Sequence, residues 1–145
     1  FHSKIFYQIK EEFIDKGLVR FEHHPFPLDL AALNAEMIVR CHVDNIKKFE
    51  LLGKIYEKQK LWAVGSDINK INDSIKKIGL ESNLNNKDMD DCLKDENKQD
   101  EILNQRIDAQ KKYEIGSTPT ILINEKKYKG KVEYSEFKKV LEKNL

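Results

Sequence analysis

The chain of 145 residues carries 26 Lys and Arg against 25 Asp and Glu, a formal net charge of +1, and 39% of it is hydrophobic. That length suits one compact domain, or one core interrupted by a subdomain, but not two ordinary domains. The near-cancelled charge gives no reason to expect nucleic acid or an anionic membrane surface as partner, and no stretch approaches the roughly eighteen apolar residues of a membrane-spanning helix.

The opening Phe1-His2-Ser3-Lys4 has neither an initiator Met nor the plan of a signal peptide. A helical pattern is already running there: Phe1, Ile5, Ile9 and Phe13 fall four apart with no capping residue before them, so the true start is expected upstream. The spacing predicts a helix from Phe1 to about Asp15, stopped by Gly17, and then a strand over Leu18-Val19-Arg20-Phe21-Glu22-His23, closed by Pro25 and Pro27. A mostly apolar helix follows from Leu30 to about Arg40. Asp44 is placed to cap the next, whose Ile46, Phe49, Leu52, Ile55 and Tyr56 are spaced for a buried face. Asp67 starts a shorter helix through Ile68, Ile71, Ile75 and Ile78, with Gly79 as its stop. Beyond Asn85-Asn86, the residues Met89, Leu93, Ile102, Leu103, Ile107 and Ala109 predict one short and one longer helix, the second ending near Tyr113. The very polar Asn83–Asp100 stretch reads as a solvated face with loops.

The last third changes period. Thr120-Ile121-Leu122-Ile123 is a β-branched strand, Asn124-Glu125-Lys126 a turn and Lys127-Tyr128-Lys129 a second strand ending at Gly130, which makes a hairpin. Phe137, Val140, Leu141 and Leu145 mark a closing amphipathic helix. The order α, β, helical block, α, β, β, α leaves the sheet one strand short, so a further strand is expected ahead of Phe1.

Gly116-Ser117-Thr118-Pro119-Thr120 leads straight into the Ile121-Leu122-Ile123 strand, and Pro is compatible with a sheet at such a first position. Taken alone, this favours an ordinary trans turn; a cis bond would instead face the preceding N–H and C=O outward, where an extended peptide could pair with them.

Two blocks together are specific. One is Val19-Arg20-Phe21-Glu22-His23-His24-Pro25-Phe26-Pro27-Leu28-Asp29 with Ala31-Ala32 and Arg40-Cys41; the other is the Ser-Thr-Pro-Thr strand with Ile123-Asn124, Tyr128-Lys129-Gly130 and the Tyr134–Leu145 helix. The chain resembles, over its whole length, the DsbA-like thiol:disulfide oxidoreductases, especially their alphaproteobacterial branch. The resemblance implies an α/β, thioredoxin-like fold with an inserted helical subdomain, residues 1–30 and 97–145 forming the core and 31–96 the insertion. It implies a cis Thr118–Pro119 bond, with Thr118 and Pro119 holding the substrate peptide. Phe1-His2 looks like the segment just after the family's redox-active Cys-x-x-Cys, so that pair is expected upstream of Phe1 and no catalytic residue is assigned within the chain. The chemistry such a pair needs is a helix N-terminus, whose partial positive charge stabilises a thiolate and makes it a good leaving group.

Cys41 and Cys92 are the only cysteines, 51 positions apart, and so cannot themselves be the redox pair. Free buried thiols are the ordinary reading of two such residues. The resemblance favours a structural disulfide between them instead, because it implies an oxidising compartment. His23 and His24 are adjacent in a predicted strand and point to opposite faces, while His2 and His42 lie elsewhere, so no metal site is assigned. Trp62 reads as packing rather than as part of a peptide groove, and Lys126, Lys127 and Lys129 as a solvated hairpin edge.

The resemblance further implies a fragment of a periplasmic or cell-envelope enzyme that introduces or rearranges disulfides in exported proteins. Its partners would be unfolded or newly exported cysteine-containing proteins and a membrane quinone-linked protein that reoxidises it; no cofactor is implied. The chain alone, without Cys-x-x-Cys, is expected to be inactive. The rival reading is a redox-inactive, thioredoxin-fold peptide-binding or envelope module.

Overall fold

Asp29, Asp44, Asp67 and Asn85 each stand just before a helix, and each side chain accepts a hydrogen bond from a first-turn N–H that the helix itself leaves unpaired. The bonds run from Ala32, Lys47, Asn69 and Asp88 at 2.8, 3.0, 3.0 and 2.8 Å. The computed structural model describes residues 1–145. It opens with α1 (Tyr7–Ile9) between two π-helical stretches, His2–Phe6 and Lys10–Ile14. There follow α2 (Leu30–Val39), α3 (Asn45–Glu57), α4 (Gln59–Trp62), α5 (Ile68–Glu81), α6 (Asn86–Leu93) and α7 (Glu96–Tyr113). Strands β1 (Leu122–Ile123) and β2 (Lys126–Lys127) and helix α8 (Tyr134–Asn144) close the chain. Two units form: Phe1–His24 with Ala109–Leu145, and Pro25–Asp108.

In the first unit, Ile5, Ile9 and Phe13 are buried on one stripe against Phe137 and Leu141 of α8. The apolar repeat of four is longer than the roughly 3.6 residues of an α-helical turn. Wider turns, with Phe6 N–H donating to Phe1 C=O at 3.2 Å and Asp15 N–H to Lys10 C=O at 2.8 Å, keep that repeat in line. Lys138 Nζ on α8 donates to Glu12 Oε2 at 2.8 Å across the same packing. Beside it, burial and the Glu12 charge push the Tyr134 hydroxyl up to about 12. The sheet is a single antiparallel pair, Leu122 opposite Lys127 and Ile123 opposite Lys126. Tyr128 N–H extends it by donating to Ile121 C=O at 2.8 Å, and the Tyr128 ring stacks on Phe137 at 4.3 Å.

In the second unit, α2 packs on α3, α5 and α6. Ala35, Ile38 and Val39 bury against Leu51, Ile55, Ile71, Ile75, Ile78 and Met89, and Leu33 and Met37 against Ile102. Trp62 closes the α3–α4 end, its Nε1 donating to Ile55 C=O at 2.8 Å.

The structure differs from the sequence reading in four places. Leu18–His23 is not a strand: a strand exists only by ladder pairing, and the one sheet does not include it, although burial still alternates from Val19 to His24. The buried face of α3 is set by Leu51 and Ile55, while Ile46, Phe49 and Tyr56 are 72, 38 and 44% exposed. Gly79 does not stop α5, which runs on to Glu81 before Asn83 turns the chain at φ +67°. Gly79 is there because a side-chain carbon would collide with the Met89 sulfur, itself fully buried. Finally, the hairpin is shorter than read: its turn is Asn124-Glu125, Lys126 pairs with Ile123 in β2, and Thr120, Ile121, Tyr128 and Lys129 lie outside β1 and β2.

Candidate functional site

Two places carry chemistry, one in each unit. The first is the loop Gly116–Thr120. Lys127 Nζ donates to Glu114 C=O at 2.6 Å, and Lys112 pairs with Glu125 at 3.2 Å, which ties the residues before the loop to the hairpin after it. The hairpin turns through Asn124 and Glu125 at φ +48° and +64°, the two-residue geometry that matches the twist of its strands. Within the loop, Thr120 Oγ1 donates to Ser117 C=O at 2.6 Å. Thr118 and Pro119 are exposed, and the peptide bond between them is cis. Neither the N–H nor the C=O of Thr118 is engaged within the chain. An exposed backbone donor and acceptor leading into a strand is a template for an added strand.

The second place is the Cys41–Cys92 disulfide. Cys41 lies two residues past the end of α2 and Cys92 in the last turn of α6, and packing of α2 on α6 brings their Cα atoms to 5.9 Å. Both cysteines line an open pocket of about 300 Å3 together with Asp88, Asp91, Asp95 and Lys98. Asp95 caps α7, its Oδ1 accepting from Lys98 N–H at 3.1 Å, and this sets the first turn from which Lys98 reaches back. Lys98 Nζ donates to Arg40 C=O at 3.4 Å and lies 3.9 Å from Cys92 Sγ. Cys41 Sγ lies 3.5 Å from the carbonyl oxygen of Asp88.

Arg40, next to Cys41, gathers its own set of partners. Its Nε donates to Glu36 Oε1 at 3.0 Å, one Nη donates to Gln105 at 2.6 Å, and the other is 3.9 Å from Glu101. Burial drives the Glu36 carboxyl above its ordinary value, with Arg40 opposing the shift.

Thr118 and Pro119 thus stand together in the first unit and Cys41 and Cys92 together in the second. No group of three or more His, Cys, Asp or Glu is placed to hold a metal ion. His42, read as an ordinary polar histidine, is 8% exposed with its Nε2 unbonded. The sequence reading gave no role to Asp88, Asp91, Asp95 and Lys98. The available signal was Asp95 three residues before Lys98, an N-cap spacing that turns the lysine toward the end of the preceding helix.

Comparison with known proteins accords with this architecture. The family described as thioredoxin matches residues 1–143. Disulfide bond formation protein D of Bacillus subtilis (strain 168) is 32% identical over 154 residues, covering 100% of this chain; the chain spans 65% of that relative's length. The crystal structure of Wolbachia pipientis alpha-DsbA1 superposes with a TM-score of 0.87 at 27% identity, over 99% of this chain and 76% of that one. Two substituted variants of the same protein give 0.87 at 26% identity with the same coverage. By the match of residues 1–143 and the likeness to these relatives, the chain belongs to the thioredoxin family, as one of its DsbA-like members.

Proposed function

We propose that this chain is the substrate-holding part of a thiol:disulfide oxidoreductase that introduces or rearranges disulfides in exported proteins of the periplasm or cell envelope. The observation that carries the proposal is the open backbone pair of Thr118, exposed beside Pro119 at the head of β1. It would hold an extended, cysteine-bearing segment of an unfolded protein by main-chain hydrogen bonds, which read shape rather than sequence. The thioredoxin-like core is 1–30 with 97–145, the helical insertion is 31–96, and Cys41–Cys92 is a structural clip within that insertion. A membrane quinone-linked protein would reoxidise the enzyme. The reactive Cys-x-x-Cys pair of such an enzyme is not among residues 1–145. Support for the activity comes from the relatives, one of them a disulfide bond formation protein by name.

A second reading is a redox-inactive module that keeps the peptide groove. The coding sequence ahead of Phe1 separates the two: a Cys-x-x-Cys there supports the enzyme, and its absence supports the module. Peptide holding is tested by titrating the protein with an extended peptide and a series of its singly N-methylated forms. One position should lose roughly three- to tenfold in affinity, the worth of one hydrogen bond, with the backbone resonance of Thr118 responding. Uniform affinities across the series would end the strand-addition reading.

A further inference from the structure

The Cys41–Cys92 bond is not sealed in a core: both residues are half-exposed and both line an open pocket. The surroundings of the two sulfurs are opposite in sign. The Lys98 ammonium, the one cation lining the pocket, sits 3.9 Å from Cys92 Sγ, held there by its bond to Arg40 C=O. Cys41 Sγ faces instead the carbonyl oxygen of Asp88 at 3.5 Å. A cation at that range favours a thiolate, whereas a carbonyl oxygen disfavours one and accepts a bond from a neutral thiol. The sulfur that leaves more readily as thiolate is the one expelled in disulfide exchange.

We propose that Cys41–Cys92 is a second thiol-exchange site that opens in one direction, with Cys41 as the sulfur attacked and Cys92 as the sulfur released. An incoming thiolate bonds to Cys41 Sγ, the Sγ–Sγ bond breaks, and its electron pair goes to Cys92 Sγ as a thiolate beside Lys98. A second thiolate then attacks the incoming sulfur of the mixed disulfide. This releases the oxidised thiol as its own disulfide, and Cys41 takes up a proton; the thiol is oxidised and the protein disulfide reduced. Asp88, Asp91 and Asp95 around the pocket repel anionic thiols, so the reductant is a neutral or cationic low-molecular-weight thiol. Opening would unclip the end of α2 from α6 without involving the Thr118–Pro119 loop. This holds whether or not that loop binds peptide.

The test is to expose the native folded protein to cysteamine, 2-mercaptoethanol or mercaptoacetate, quench with iodoacetamide and map both cysteines by peptide mass spectrometry. Early in the reaction the thiol adduct should sit on Cys41 and the alkyl group on Cys92. Per thiolate, cysteamine should open the bond several-fold faster than mercaptoacetate. Lys98→Met should slow opening by roughly three- to tenfold and erode the preference for Cys41. An adduct mainly on Cys92, an even split, or a bond that no thiol opens while the protein stays folded would overturn the proposal. So would a well-folded Lys98→Met variant with unchanged rate and mapping. The wild-type map decides the direction even if that variant fails to fold.

Discussion

At the scale of single residues, Glu36 shows how burial sets a pH dependence. Its carboxyl is pushed above the ordinary 4.5 first by desolvation on α2, and the Arg40 guanidinium offsets only part of that. An acid whose pKa is higher folded than unfolded binds more proton in the native state across the interval between the two values. Stability therefore falls as pH rises through that interval. The variant Glu36→Gln has no proton to lose, so its stability relative to wild type should climb from about pH 4 through the raised folded pKa and then level off. Urea unfolding at a series of pH values measures this, and a wild-type-minus-variant difference that stays flat or moves the other way would refute it. The carboxyls of Glu12, Glu81 and Glu136, each lowered first by a lysine hydrogen bond, act in the opposite sense. The subtraction removes them because they are common to both proteins.

At the scale of elements, the disulfide is the feature most open to measurement. It closes a loop of 51 positions around α3, α4 and α5, and loop-closure entropy assigns such a link up to about 4 kcal/mol. Reducing it, or replacing both cysteines by Ala, should lower the thermal midpoint while leaving the resonances of Gly116–Thr120 in place. An unchanged midpoint would deny the bond any structural role. The helices themselves were legible wherever a local signal fixed them. Asp44 and Asp67 announce their helix starts, and the stripe Ile71, Ile75 and Ile78 announces the buried face of α5. Signals that depend on a distant partner were not. Gly79 looks like a stop until Met89 arrives across from it, and Val19–His24 looks like a strand because alternation records burial, whereas strandhood requires a neighbour. The α3 face was misjudged for a related reason: Ile46 and Phe49 are apolar, and only tertiary packing shows that they face outward.

At the scale of the whole molecule, the family was legible from Thr118-Pro119 and the Val19–Asp29 block, while the pocket around the disulfide was not. Its lining comes from three separated segments, residue 41, residues 88–92 and residues 95–98. With its two cysteines bonded to each other and no Cys-x-x-Cys, the purified 145-residue chain should neither reduce insulin nor oxidise a dithiol peptide catalytically. Multiple turnovers by that chain would contradict this; stoichiometric opening of Cys41–Cys92 would not. The closed loop has one more consequence, for how the chain survives damage. A protease that cuts once between His42 and Asp91 severs the backbone but not the molecule, because the two pieces stay joined through sulfur. The broken ends then keep an effective concentration far above that of free fragments, and only a reductant turns the nick into a separation.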